Sequence, residues 1–130
     1  RIKLRQLDNY IDARRSVAAA YDAAFAQLPG VEIPFRASDS RHVFHQYTLK
    51  LTSHSRAALQ AHLQAAGIPS MIYYPIPAHR QNMFSKFNLG HLHLPLTETL
   101  CEQVISLPIH TEMDEQQLDY IIQHVLSFFK

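Results

Sequence analysis

Pro75 and Pro77 stand two residues apart directly behind the apolar stretch Ile68 to Tyr74, and they set the strongest limit on what this chain can build. Each lacks the N–H that a β-ladder needs, so a strand over Ile68 to Tyr74 has to stop there. Tyr73, Tyr74, His79 and Gln81 then gather flat rings and hydrogen-bonding groups at the rim of that strand end. From these residues alone two readings stay open. Such a rim suits a ligand; equally, the prolines end an edge strand and the tyrosines cover it.

The flanking patterns supply the architecture. From Ile2 to Leu28, apolar residues Leu4, Leu7, Ile11, Ala18, Tyr21, Phe25 and Leu28 recur at helical spacing, which predicts one long helix with a buried face, ended by Pro29-Gly30. The chain opens without an initiator Met and already inside this pattern, as expected of a piece cut from a longer protein. Val31 to Arg41 reads as a loop. Val43 to Leu51 reads as a strand, with Val43, His45, Tyr47, Leu49 and Leu51 on one face and Phe44, Gln46, Thr48 and Lys50 on the other. Ser53 or Ser55 caps a helix that carries Leu59 and Leu63 inward and stops at Gly67. After the Ile68 to Tyr74 strand, Arg80 to His93 predicts a helical turn and a loop. Thr97-Glu98 opens a short helix, Val104 to Leu107 forms a third strand, and Asp114 with Gln117 makes a capping box for a last helix burying Leu118, Ile121, Ile122, Val125 and Phe129. Three strands and three to four packed helices make a small α+β fold.

Composition narrows the function. A chain of 130 residues that is 47% hydrophobic and 18% charged has the make-up of one globular domain with a modest core. No apolar run approaches the roughly 20 residues of a membrane span. A formal charge of +1 with scattered arginines gives no field for nucleic acid. The single Cys101 and the absence of a signal-peptide pattern point to a reducing, cytoplasmic setting. Gly30, Gly67 and Gly90, the only three glycines, lie too far apart for a phosphate loop. Nor does any Gly-x-Ser-x-Gly turn support a serine nucleophile. The nine His residues bring no Cys or carboxylate at a zinc spacing, so no metal is expected.

Three segments in order then carry a resemblance. The first is Val43-Phe44-His45-Gln46-Tyr47-Thr48, followed by the helix Leu59-Gln60-Ala61-His62-Leu63 closing at Gly67-Ile68. The second is Tyr73-Tyr74-Pro75-Ile76-Pro77-Ala78-His79-Arg80-Gln81; the third is Leu94-Pro95-Leu96-Thr97-Glu98, then Val104 to His110 and the acidic start of the last helix. Together they resemble the C-terminal small domain of the DegT/DnrJ/EryC1/StrS family of pyridoxal-phosphate (PLP) dependent nucleotide-sugar aminotransferases, whose motif runs His-Tyr-Pro-x-Pro-x-His-x-Gln.

The resemblance implies a fold-type I enzyme, homodimeric, whose large domain holds PLP on a lysine. Such an enzyme moves an amino group from a donor such as glutamate to a nucleotide-linked keto-sugar, in polysaccharide, lipopolysaccharide or antibiotic sugar biosynthesis. It implies a linking helix over residues 1–28 and the small domain over 29–130, with the PLP-binding domain absent. Lys3, Lys50, Lys86 and Lys130 do not match the cofactor-lysine context, so no catalytic residue and no bound cofactor are expected of this chain alone, which is expected to be inactive. Tyr74 and His79 carry over as substrate-contact or site-shaping residues, with His45 and Gln81 beside them. Tyr73 stands where the family has His, and a phenol stacks and donates a hydrogen bond but does not titrate near neutral pH as imidazole does. The alternative is a stand-alone, non-catalytic module that binds a nucleotide sugar or serves dimerisation.

Overall fold

The computed structural model describes residues 1–130. A 3-10 turn, Lys3–Gln6, leads into the helix Leu7–Phe25 (α1), where Val17, Ala18, Tyr21 and Phe25 are buried. The expected helix over Ile2 to Leu28 is therefore shorter, and its apolar stripe is covered only in its second half. Leu4 and Leu7 continue the stripe by spacing, yet they stay 70% and 45% exposed because no element of this chain reaches them. Periodicity reports which face a helix offers, not what covers it.

The sheet has three antiparallel strands, Val31–Glu32 (β1), Tyr47–Leu51 (β2) and Val104–Leu107 (β3), in the order β1-β2-β3. Val31 pairs with Leu51, Leu49 with Ile105 and Tyr47 with Leu107. Two expectations need correction here. The stretch expected to be a loop supplies β1, and Ile68 to Tyr74 is not a strand. It makes a single bridge, Met71 with Ser106, through N···O contacts of 3.0 and 2.7 Å. Paired rungs on one edge recur every second residue. The neighbouring rungs would fall on Pro69, which has no N–H, and on Tyr73, where the backbone bends.

The strand expected from Val43 begins only at Tyr47. Phe44 adopts a left-handed conformation, φ 48°, with its N–H donating to His42 Nδ1 at 3.0 Å. That reversal breaks the alternation. Phe44 enters the core, while Val43 and His45 remain exposed.

Helix Arg56–Ala65 (α2) starts where the Ser55 hydroxyl accepts from Ala58 N–H at 3.3 Å, and it ends at Gly67, φ 71°, with Ile68 N–H returning to Leu63 O. Pro95–Gln103 (α3) has proline in its first turn and runs directly into β3. Glu115–Phe128 (α4) carries the expected capping box, Gln117 N–H to Asp114 Oδ1 at 2.7 Å and Asp114 N–H to Gln117 Oε1 at 3.3 Å. Along β2, Tyr47, Leu49 and Leu51 are buried in one cluster with Ile105, Leu107 and the inward side chains of α1, α2 and α4. The Tyr21 and Tyr47 rings lie tilted with centroids 4.9 Å apart; Tyr21 donates to Pro108 O, while Tyr47 donates to Asp22 Oδ1 at 2.8 Å. Burial pushes both phenols well above their ordinary value, so both remain hydrogen-bond donors. The opposite face of the sheet, with Thr48 and Ser106, meets α3 and the segment around Tyr73. No helix is long and apolar enough to cross a membrane.

Gly30 has φ 76° and its carbonyl accepts from Thr52 N–H at 2.9 Å, pinning the turn before β1 to the end of β2. A Cβ there would lie 1.8 Å from Ser53 Oγ and 2.9 Å from Ser53 Cβ. Left-handed strain and this overlap add, so Gly30→Ala is expected to lose about 2–4 kcal/mol. Urea unfolding measures it, and a loss under about 0.5 kcal/mol contradicts the reading.

Candidate functional site

A cleft of about 420 Å³ opens on the second face of the sheet, between α3 and the Tyr73 to Gln81 segment. Thr48 and Val104 come from the strands, Thr97, Leu100 and Cys101 from α3, and Tyr73, Tyr74, Ile76, Pro77, Ala78 and Gln81 from the segment. A smaller cleft of about 200 Å³ adjoins it, lined by His45, Gln46, Met71, Tyr73 and Ser106 among others. Tyr73 borders both. Between them Thr48 Oγ1 lies 2.8 Å from Ser106 Oγ, so the floor there is a satisfied hydroxyl pair rather than two free groups.

All five expected residues fall in this region, but in different roles of geometry. Tyr73 and Tyr74 face the larger cleft, their rings 6.1 Å apart and edge to face, and Tyr74 is 71% exposed. Gln81 also lines it, with its amide Nε2 donating to Ile76 O at 3.2 Å across Pro77. His45 lies in the smaller cleft, brought there by the turn at Phe44. His79 is buried and points away. Pro77 leads into the 3-10 turn Ala78–Arg80, which carries the imidazole inward until Nε2 lies 3.1 Å from Glu98 Oε1.

Glu98 was expected only to open a helix. It also gathers donors from four residues: Leu94 N–H at 3.0 Å, His79 Nε2, Arg80 Nη2 at 2.9 Å and His93 Nδ1 at 3.4 Å. The Leu94 N–H, then His79, Arg80 and His93, hold its carboxyl below the usual range, against the opposing effect of burial. The signal available beforehand was a first-turn carboxylate; its partners lie up to 19 positions away, beyond any local pattern. No group of three or more His, Cys, Asp or Glu converges as a metal set.

The arrangement can bind and orient a flat or ring-shaped polar molecule. Two phenols and the Gln81 amide supply hydrogen bonds over an apolar floor of Ile76, Pro77, Leu100 and Val104. Neither cleft is lined by a lysine or a carboxylate; Cys101 borders the larger and His45 the smaller, on separate sides of Tyr73, so no nucleophile and base are paired in either.

Comparison with known proteins agrees with this geometry. Residues 1–126 match the DegT/DnrJ/EryC1/StrS aminotransferase family. The chain is 34% identical over 131 residues to a pleiotropic regulatory protein of Geobacillus stearothermophilus, covering 99% of this chain and 35% of that protein. It is 39% identical over 118 residues to the UDP-N-acetyl-3-dehydro-alpha-D-glucosamine 3-aminotransferase of Acidithiobacillus ferrooxidans, covering 91% and 31%. The crystal structure of S. venezuelae DesV in complex with a ketimine intermediate superposes with a TM-score of 0.92 at 32% identity, over 100% of this chain and 34% of that one. The chain thus spans about a third of the length of the relatives it matches. It belongs to the DegT/DnrJ/EryC1/StrS aminotransferase family.

Proposed function

We propose that this chain is the small domain of a PLP-dependent aminotransferase and forms the sugar-facing wall of its active site. Residues 1–28 serve as the linking helix and 29–130 as the domain proper. The substrate is a nucleotide-linked keto-sugar of polysaccharide, lipopolysaccharide or antibiotic sugar biosynthesis, in a cytoplasmic homodimer. The observation that carries this reading is the two-tyrosine cleft on the open face of the sheet, built from the segment that resembles the family motif.

The residues present do not fit the cofactor itself. Lys50 pairs with Glu32 at 3.1 Å on the β1 side, Lys86 lies over the Phe87 ring, and Lys3 and Lys130 stand near the chain ends. None lines a cleft, and no carboxylate there could meet a pyridinium nitrogen. The chemistry of amino transfer therefore belongs to residues outside this third of the relatives' length. This chain contributes binding: Tyr73 and Tyr74 stack on and hydrogen-bond a ring, Gln81 and the two prolines set the edge, and the apolar floor excludes water.

The reading is tested by incubating the 130-residue chain with PLP and reducing with borohydride. Mass spectrometry is expected to find no stoichiometric lysine adduct. A single saturable adduct on Lys3, Lys50, Lys86 or Lys130 would overturn the assignment of this chain as a wall alone.

A further inference from the structure

We infer that Glu98 is a positioning residue, the clasp that fixes the Tyr73 to Gln81 wall at its distance from α3. Between Arg80 and His93 the chain leaves the domain in a loop of 3-10 turns, Asn82–Phe87 and Leu89–His91, in which no residue is buried. The two ends of that excursion meet at one carboxylate. Oε1 takes His79 Nε2 from the entrance at 3.1 Å and Leu94 N–H from the exit at 3.0 Å. Oε2 lies 2.9 Å from Arg80 Nη2 at the entrance and 3.4 Å from His93 Nδ1 at the exit. Each oxygen therefore joins both ends, and the pattern closes the neck of the loop.

The clasp acts across the cleft. Glu98 follows Thr97, which lines the α3 side, while His79 and Arg80 lie between Ala78 and Gln81, which line the opposite side. Glu98 does not itself line the cleft, so it acts on a ligand only through the wall it holds. Its side chain is 14% exposed and that of His79 5%, so the hydrogen bond between them is largely shielded from competing water, while Arg80 and His93, 49% and 76% exposed, approach Oε2 from the solvent side. A carboxylate suits this geometry, because Oε1 accepts from both His79 and Leu94 while Oε2 carries the negative charge that faces the Arg80 guanidinium. The amide of Glu98→Gln offers one oxygen and meets the donor-only Arg80 guanidinium with a second donor.

Hydrogen exchange on the 130-residue chain, followed by NMR, tests the clasp. The amides of Arg80 and Gln81, bonded to Pro77 O and Ala78 O, report on the wall; that of Leu94 reports on the local helix start. In Glu98→Ala all three are expected to exchange at least about tenfold faster, while Leu49 and Ile105 in the core stay within about twofold. The ring resonances of Tyr73 and Tyr74 are expected to shift, and those of Tyr21 and Tyr47 on the other face to hold still. In Glu98→Gln the Leu94 amide recovers protection but Arg80 and Gln81 do not. If Glu98→Ala fails to fold, the same comparison in Glu98→Gln decides. The inference is overturned if Leu94 alone responds, since Glu98 would then be a helix cap without reach to the wall. That this wall meets a sugar rests on the function proposed above. The clasp does not, so its loss leaves that function standing, and a PLP adduct on this chain leaves the clasp standing.

Discussion

Leu49→Ala is expected to destabilise the chain by about 2–5 kcal/mol, the range for removing a leucine from a close-packed core. Leu49 is the middle residue of the middle strand and fully buried, opposite Ile105 and within the single cluster that joins the sheet to α1, α2 and α4. Its neighbours are themselves buried core side chains, so the upper half of the range is the expectation. Domains of this size are stable by only about 5–15 kcal/mol, so the variant sits close to its unfolding threshold. Urea unfolding should show a lower midpoint at an unchanged slope. Leu4→Ala is the control. Leu4 is exposed, and its removal is expected to change stability by less than about 0.5 kcal/mol in this chain. Equal effects at the two positions would mean that the core is not where the structure puts it.

What could be read from the sequence was what short-range hydrogen bonds decide. The Asp114–Gln117 box and the left-handed Gly67 depend on groups within a few residues, and both stand as read. The errors lie where a distant partner decides. Ile68 to Tyr74 has strand composition, but pairing was open to it on one edge only, and Pro69 removes the next donor along that edge. Val31 and Glu32 look like loop beside Pro29 and Gly30, yet β2 offers them an unpaired edge. At Phe44 the sequence pattern alternates correctly and still misleads, because a positive φ at a bulky residue leaves no trace in apolar periodicity.

The candidate site divides the same way. Prolines 75 and 77 marked the wall, and Tyr73, Tyr74 and Gln81 do line a cleft there. The inward turn of His79 follows from a 3-10 helix after Pro77 that residue types alone did not specify. Glu98 was legible as a helix-opening carboxylate but not as the meeting point of His79, Arg80, His93 and Leu94, because that convergence exists only after the loop folds back.

The central claim, that this chain is the substrate wall of an aminotransferase, predicts an effect on one half of a reaction and not the other. The Acidithiobacillus ferrooxidans relative, 39% identical over the matched third, offers the setting: its corresponding segment is replaced by this chain, and PLP binding establishes that the chimera is folded. In that chimera Tyr73→Ala with Tyr74→Ala removes both aromatic surfaces of the cleft. Each loss is worth about 1–1.5 kcal/mol of ring stacking and hydrogen bonding, so together they should lower kcat/KM for UDP-N-acetyl-3-dehydro-alpha-D-glucosamine by about 30–150-fold. The rate of the amino-donor half-reaction should stay within about threefold, since no lysine or carboxylate lines this cleft. The decisive measurement is single-turnover kinetics of the two half-reactions, with and without the tyrosine pair. A selective loss in the sugar half-reaction is the predicted result; an unchanged sugar half-reaction, or an equal loss in both, contradicts the account.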